Sequence, residues 1–203
     1  MDNVFTQKEK TVFKKLNTPA KVQDFLNSLP FNFEPKGETL QSPLRVMRSR
    51  TAHCFEGALL GAYILSLHGF TPYVLHLEAT EADYDHVITP FKVNGLWGAL
   101  SKTNHAVLRY REPVYKNIRE LVLSYFHEYF LDNGQKTLRR YSEPLNLKTL
   151  GTEWVTATKD LWYIDTKLDK VRHYNIIPKS HIKKLRKAEP IEIQAGKIIQ
   201  YKK

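Results

Sequence analysis

An α+β architecture, with one buried helix packed against an antiparallel sheet, is expected from two features of this 203-residue chain. His53–Leu67 (HCFEGALLGAYILSL) is dense in Ala, Leu and Gly with one internal charge, which suits a helix hidden on most sides. Further on, the β-prone runs Asp85–Val93 and Leu96–Leu100 are joined by Asn94-Gly95, the strongest short-range hairpin signal because both turn residues tolerate positive φ. Helical patterns precede and follow these strands instead of alternating with them, which argues against a doubly wound sheet.

The elements read in order. The N-terminus, Met1–Lys15, is polar, with no apolar segment or cleavage signal. Thr18-Pro19 supplies an N-cap and a proline at the first helical position, and Val22, Phe25, Leu26 and Leu29 make an apolar stripe that stops at Pro30. Residues 31–42 carry Pro35 and Gly37 without a period and read as a loop, and Ser42-Pro43 opens a brief helical turn. The central helix is stopped by His68-Gly69, and Tyr73–Leu77 follows as a strand. Pro113 starts a pattern from Val114 to Leu131 in which Ile118, Leu121, Val122, Tyr125, Phe126, Tyr129 and Phe130 recur at helical spacing, ending near Gly134. Beyond Leu150 come the β-like runs Leu161–Ile164 and Ile176-Ile177, the basic segment His181–Lys187 and a hairpin around Gly196. This divides the chain into a core over 1–150 and a basic, strand-containing extension of the same domain over 151–203.

Composition bounds the function. With 42% hydrophobic and 26% charged residues the chain buries a core, which excludes global disorder. No apolar run approaches the roughly 18 residues a membrane span needs, so a soluble, cytoplasmic protein without membrane contact is expected. From Thr166 to Lys203 there are eleven Lys and Arg against Asp169, Glu189 and Glu192, which places +8 of the net +10 at the C-terminal end. Such a segment, with Lys183, Lys184, Arg186 and Lys187, suits non-specific contact with nucleic acid. No phosphate-binding glycine motif and no metal-ligand spacing occurs, so neither cofactor nor metal is expected. Cys54 is the single cysteine, which rules out an internal disulfide and a multi-Cys zinc site.

Cys54 stands where the central helix starts, and there unpaired backbone N–H groups and the positive end of the macrodipole favour a thiolate. A nucleophilic thiol needs an imidazole to take its proton and return it to a leaving group. His86, at the start of a strand, is the candidate, with His53 and His105 as competitors. The alternatives are an inert buried cysteine and a strand-edge histidine with only water and Asp85 as partners.

The string TAHCFEGALLGAYILSLHGFTPYVL resembles the segment of transglutaminase-like cysteine enzymes in which a Cys opens a helix that ends in a glycine and leads into a strand. DHVITPFKVNGLWGALS resembles their next signature, a His on one strand and a Trp on the following one, a few residues before an acidic residue. The resemblance spans His53–His105. It implies a papain/transglutaminase-like core, Cys54 as nucleophile and His86 as general base. Trp97 in the family's place would shield the site from water, but a tryptophan beside a hairpin turn is more often plain core, and no catalytic role is assigned to it. The substrate class implied is a protein, peptide or small amide, attacked by a hydrolase or acyltransferase through a thioester.

The chain departs from the family where an Asp normally orients the histidine, because Ser101 stands there. With a two-residue turn, Val93 pairs with Leu96, which makes Ser101 a diagonal neighbour of His86 and turns Asn104 away. A bulge near Pro90 would swing Asn104 onto the histidine's face, where its amide oxygen can accept the imidazole N–H. Ser101 and Asn104 are therefore rival orienters. The missing carboxylate also leaves room for a catalytically inactive binding module on the same fold.

Overall fold

The computed structural model describes residues 4–202; Met1–Asn3 of the polar N-terminus and Lys203 of the basic extension lie outside them. Among the described residues seven strands form one antiparallel sheet: β1 (Tyr73–Glu78), β2 (His86–Val93), β3 (Leu96–Leu100), β4 (Arg111–Tyr115), β5 (Arg140–Ser142), β6 (Leu145–Asn146) and β7 (His173–Asn175). Their order is β4-β3-β2-β1-β5-β7, with β6 also paired to β1. Helices α1 (Gln7–Lys15), α2 (Pro19–Ser28), α3 (Pro43–Ser49) and α4 (Cys54–Ser66) precede the sheet. Helices α5 (Ile118–Phe126), α6 (Trp162–Lys170), α7 (Lys179–Ile182) and α8 (Pro190–Gly196) come later in the chain. None of these is long and apolar enough to cross a membrane.

α4 lies against β1 and β2, with α2 and α3 on its other sides, and this explains why almost every residue from Phe55 to Leu65 is buried. Strand alternation sorts the sheet's side chains into two cores. Val74, Val87 and Phe91 join α4 on one face, while Leu75, Leu77 and Ile88 join Leu121, Val122 and Tyr125 of α5 on the other. Because both faces are covered, β2 is buried over its first six residues. The hairpin forms as expected: Asn94 and Gly95 have φ of 49° and 84°, and Val93 pairs with Leu96. Gly57 permits the close approach of α4 to the segment after β3, since a Cβ there would stand 2.4 Å from Lys102 Cβ.

Several expectations are corrected. The helix expected from Val114 is instead β4 followed by α5, which Asn117 caps and which stops at Phe126. Pro113 sits on an edge strand that pairs only with β3, at the register shift between Trp97 and Ala99, where a missing N–H is tolerated. Leu161–Ile164 leads into α6, because Ile164 and Leu168, four apart, bury one helical stripe while Trp162 and Tyr163 face out. Gly196 ends α8 instead of turning a hairpin; Glu189 and Glu192 form a capping box ahead of Pro190. The extension is thus mainly helical. It adds β7 to the sheet edge and sends a tail back across residues 104–106, where Ala106 N–H donates to Ile198 O (2.9 Å) and Gln200 N–H to Asn104 O (2.8 Å). Lys183, Lys184, Arg186 and Lys187 stand exposed, with Arg186 paired to Glu189.

Candidate active site

Cys54 occupies the first position of α4 because His53 caps the helix. The Phe55 N–H donates to His53 Nδ1 (3.3 Å), and the His53 N–H donates to the Glu56 carboxylate (3.0 Å). Glu56 is fully buried, so its oxygens need donors from the protein. It also accepts from Asn32 Nδ2 (3.0 Å), Thr39 Oγ1 (2.8 Å) and the Gln41 N–H (3.0 Å). One carboxylate therefore caps the helix and fastens the loop over 31–42 beside the cysteine. His53 Nε2 donates to Thr39 O (2.9 Å), so in the neutral ring Nδ1 is the acceptor of the Phe55 N–H, and on protonation Nδ1 exchanges that bond for an interaction with the thiol.

His86 opens β2 with 5% of its surface exposed. Its Nε2 donates to Ser101 Oγ (2.7 Å), and Ser101 in turn donates to the Leu108 carbonyl. Nδ1 has no other hydrogen-bond partner among the described residues, and the Cys54 thiol interacts with both His53 and His86. Gln23 of α2 grips the Ser101 peptide at both N–H (2.9 Å) and carbonyl (2.8 Å). Leu108 is pinned in turn: its N–H donates to Glu128 (2.6 Å), which pairs with Arg111 (2.7 Å). Leu108 also has φ of 59°, a conformation that costs a residue with a side chain about 1–3 kcal/mol and persists only where the surroundings impose it.

Burial opposes a charge on Cys54. Hydrogen bonds from His53 and then His86, with the charges on both rings, outweigh it and hold the thiol well below its ordinary value. For His53 burial again opposes the charge, and the hydrogen bond to Cys54 overcomes it, so that its pKa is raised to about 9. A thiolate between two imidazoles results, at the wall of a cavity of about 620 Å³ that Phe31, Phe33, Tyr84, Tyr129 and Phe130 line with aromatic surface. Lys102, also at its wall, is brought down to about 8 by burial and then by the Arg109 charge; its Nζ donates to Leu29 O.

Of the residues expected from the sequence, Cys54, His86, Ser101 and the competitor His53 come together. Asn104 does not join them. The β2–β3 register runs without a bulge past Pro90, and the Asn104 amide is occupied on both atoms by the backbone of Tyr201 (2.9 and 2.8 Å). His105 lines the cavity but binds Gly196 O (2.9 Å). Trp97, to which no catalytic role is assigned, packs on Tyr73 and Lys92 beside the hairpin turn and does not line the cavity. Asp85 lines the cavity but does not bind its neighbour His86, giving its oxygens to His76 Nε2 (2.9 Å) and the Ala79 N–H (2.7 Å). Sequence reasoning missed Glu56, for which the spacing of three from His53 was an available capping signal, and Tyr129, read only as packing. Burial, followed by the Cys54 charge, keeps the Tyr129 hydroxyl protonated.

No family model and no curated protein matches the chain. Among solved structures it is similar to Legionella pneumophila LapG, at 16% identity over 45% of this chain and 59% of that one, with a TM-score of 0.36. A second match is Legionella pneumophila LapG (EGTA-treated), at 13% identity over 72% and 83%, with a TM-score of 0.42. In the first of these the chain spans less than two thirds of its neighbour's length. At such scores the chemistry open to this chain has to follow from its own geometry.

Proposed function

We propose that the chain is a transglutaminase-like thiol enzyme with a papain-like core, acting on an amide or acyl carbonyl through a thioester on Cys54. The observation that carries this reading is Cys54 at a helix start that opens on a cavity, with His53 and His86 lining the same cavity and lowering the thiol's pKa. The thiolate attacks the carbonyl carbon, forming the S–C bond and placing negative charge on the carbonyl oxygen. The Cys54 N–H, without an acceptor one turn back in the helix, is available to that oxyanion. The His86 imidazolium gives its Nδ1 proton to the departing amine as the C–N bond breaks. Water, deprotonated by the same nitrogen, then attacks the thioester carbon; the C–S bond breaks, the acid leaves and loses its proton to solvent, and the thiolate and imidazolium are restored, whereas a second amine in place of water gives transfer. His53, held by Thr39, stabilises the thiolate without taking part in proton transfer to substrate.

Ser101 performs part of the work of an orienting carboxylate, because a hydroxyl both accepts the imidazole N–H and donates to Leu108 O. It brings no negative charge, and this supports the second reading, a binding module that retains the fold without turnover. Trapping separates the two. The native chain is incubated with a mixed peptide digest and quenched in acid, and an enzyme shows an acyl adduct on Cys54 by intact mass. That adduct is labile to hydroxylamine and missing in Cys54→Ala. A chain with no adduct at any substrate concentration is a binding module.

A further inference from the structure

A second cluster of ligating side chains lies away from the thiol, at the junction of β1, β7 and α6. His76 Nδ1 and His173 Nε2 face each other at 3.3 Å. The other nitrogen of each ring is already committed: His76 Nε2–H donates to Asp85 (2.9 Å), and His173 Nδ1–H donates to Val171 O (2.8 Å). In the tautomers that place one proton on each of those committed nitrogens, two lone pairs point at one another, an arrangement that a cation between them relieves. Two carboxylates stand at the same gap, Glu78 Oε2 at 3.8 Å from His173 Nε2 and Asp169 Oδ1 at 3.9 Å from His76 Nδ1. Arg140 engages the other oxygen of Glu78 (3.1 Å), leaving Oε2 free.

We propose that His76, Glu78 and His173, with Asp169 on the solvent side, bind a divalent transition-metal cation of the zinc class. The spacing fits this metal. Two imidazole nitrogens at about 2.0–2.1 Å from a tetrahedral ion are separated by about 3.3–3.4 Å, the observed gap, and small rotations of the carboxylates close the other two positions. The donors of His76, Glu78 and His173 all lie within 4.8 Å of one another. Imidazole with carboxylate suits zinc, cobalt or nickel better than magnesium. Each ring is also oriented as metal-ligating histidines are, through an acceptor on its far N–H. Side-chain exposure is 11% for His76 and 4% for His173 but 62% for Asp169, so an ion has a way in. A bound ion would tie α6 and β7 to β1 and, through Asp85, stiffen the segment that leads into His86.

The occupant that competes with a metal is a proton shared by the two rings. The test uses the full chain carrying Cys54→Ala, because Cys54, His53 and His86 form a thiolate–imidazole set that draws the same ions, and this makes the outcome independent of the catalytic reading. Equilibrium dialysis against zinc chloride is expected to give one bound equivalent per chain, with cobalt(II) showing tetrahedral visible absorption and no thiolate charge-transfer band. His173→Ala and the milder Glu78→Gln should each weaken zinc binding by at least about ten-fold with the circular dichroism spectrum unchanged. A Cys54→Ala chain that binds no zinc shows that a proton fills the gap and overturns the proposal. Binding unaffected by both further substitutions places the metal elsewhere and overturns it equally.

Discussion

Ser101→Ala removes a hydroxyl that serves two partners together, the buried His86 ring and the half-buried Leu108 carbonyl. In the variant the His86 Nε2–H loses its acceptor and the Leu108 carbonyl loses its donor, and neither has a replacement within reach, because Gln23 and Glu128 hold the surrounding backbone in place. A buried polar group left unpaired costs about 1–3 kcal/mol, so stability in urea unfolding should fall by about that amount, with no change in the dependence on urea concentration. The same hydrogen bond fixes the imidazole with Nδ1 toward the thiol. Losing 1–3 kcal/mol of orientation is equivalent to roughly one to two pH units, of which the retained His53 recovers part, so the acid limb of thiol alkylation should move up by about one unit. Iodoacetamide kinetics on native and Ser101→Ala chains measure this. Ser101→Asp should not repair the site, since an ionised carboxylate cannot donate to Leu108 O. Coincident alkylation profiles for native and Ser101→Ala chains would show that the serine does not position the ring.

Other predictions rest on different parts of the structure. The His53–Cys54 pair sets the sign of a pH dependence: unfolded, the two groups titrate near their ordinary values of about 6.5 and 8.5, whereas folded, the cysteine is lowered and the histidine raised to about 9. Below about pH 6.5 the unfolded chain holds more protons, and above about pH 8.5 the folded chain holds more. Stability from the pair is therefore greatest between these limits and declines on both sides, a profile that Cys54→Ser should flatten in thermal unfolding. Gly57→Ala would drive a Cβ into Lys102 and should cost about 1–3 kcal/mol; a urea midpoint equal to the native one would mean that the helix is free to move away. Glu56→Gln turns an acceptor into a donor facing the Thr39 hydroxyl, the Gln41 N–H, the His53 N–H or the Asn32 amide. It should cost about 1–3 kcal/mol and speed proteolysis within 31–42, and unchanged cleavage would dissociate that loop from the helix start.

The sequence was most legible where local chemistry decides the outcome. Asn94-Gly95 fixes both turn and register, and an N-cap followed by proline announces α2 and α3. It was least legible where burial on a distant partner decides. Arg111–Tyr115 alternates because it pairs with β3, which overrides the helical pattern that resumes at Ile118. Leu161–Ile164 is β-prone in composition, yet it folds as a helix because only that places both Ile164 and Leu168 in the core. At the site, Cys54 and its position at a helix start were legible, as was Ser101 as a neighbour of His86. His53 appeared only as a competitor, since a residue beside the thiol in sequence gives no hint that Thr39, fourteen residues earlier, holds its ring. The meeting of His76 and His173, separated by 97 residues, leaves no spacing signal at all.

Whether Cys54 is a thiolate held by two imidazoles is read directly from the pH–rate profile of Cys54 alkylation in the native, His86→Ala and His53→Ala chains. The macrodipole alone contributes about 0.3–1 kcal/mol, less than one pH unit, so reactivity far below the ordinary range requires the histidines. The native thiol should react well below about pH 7, and each variant's profile should move upward by about one unit or more, with the apparent values belonging to the coupled group and not to one residue. Three coincident profiles, with alkylation only near about pH 8.5, would make Cys54 a structural residue and contradict the central claim.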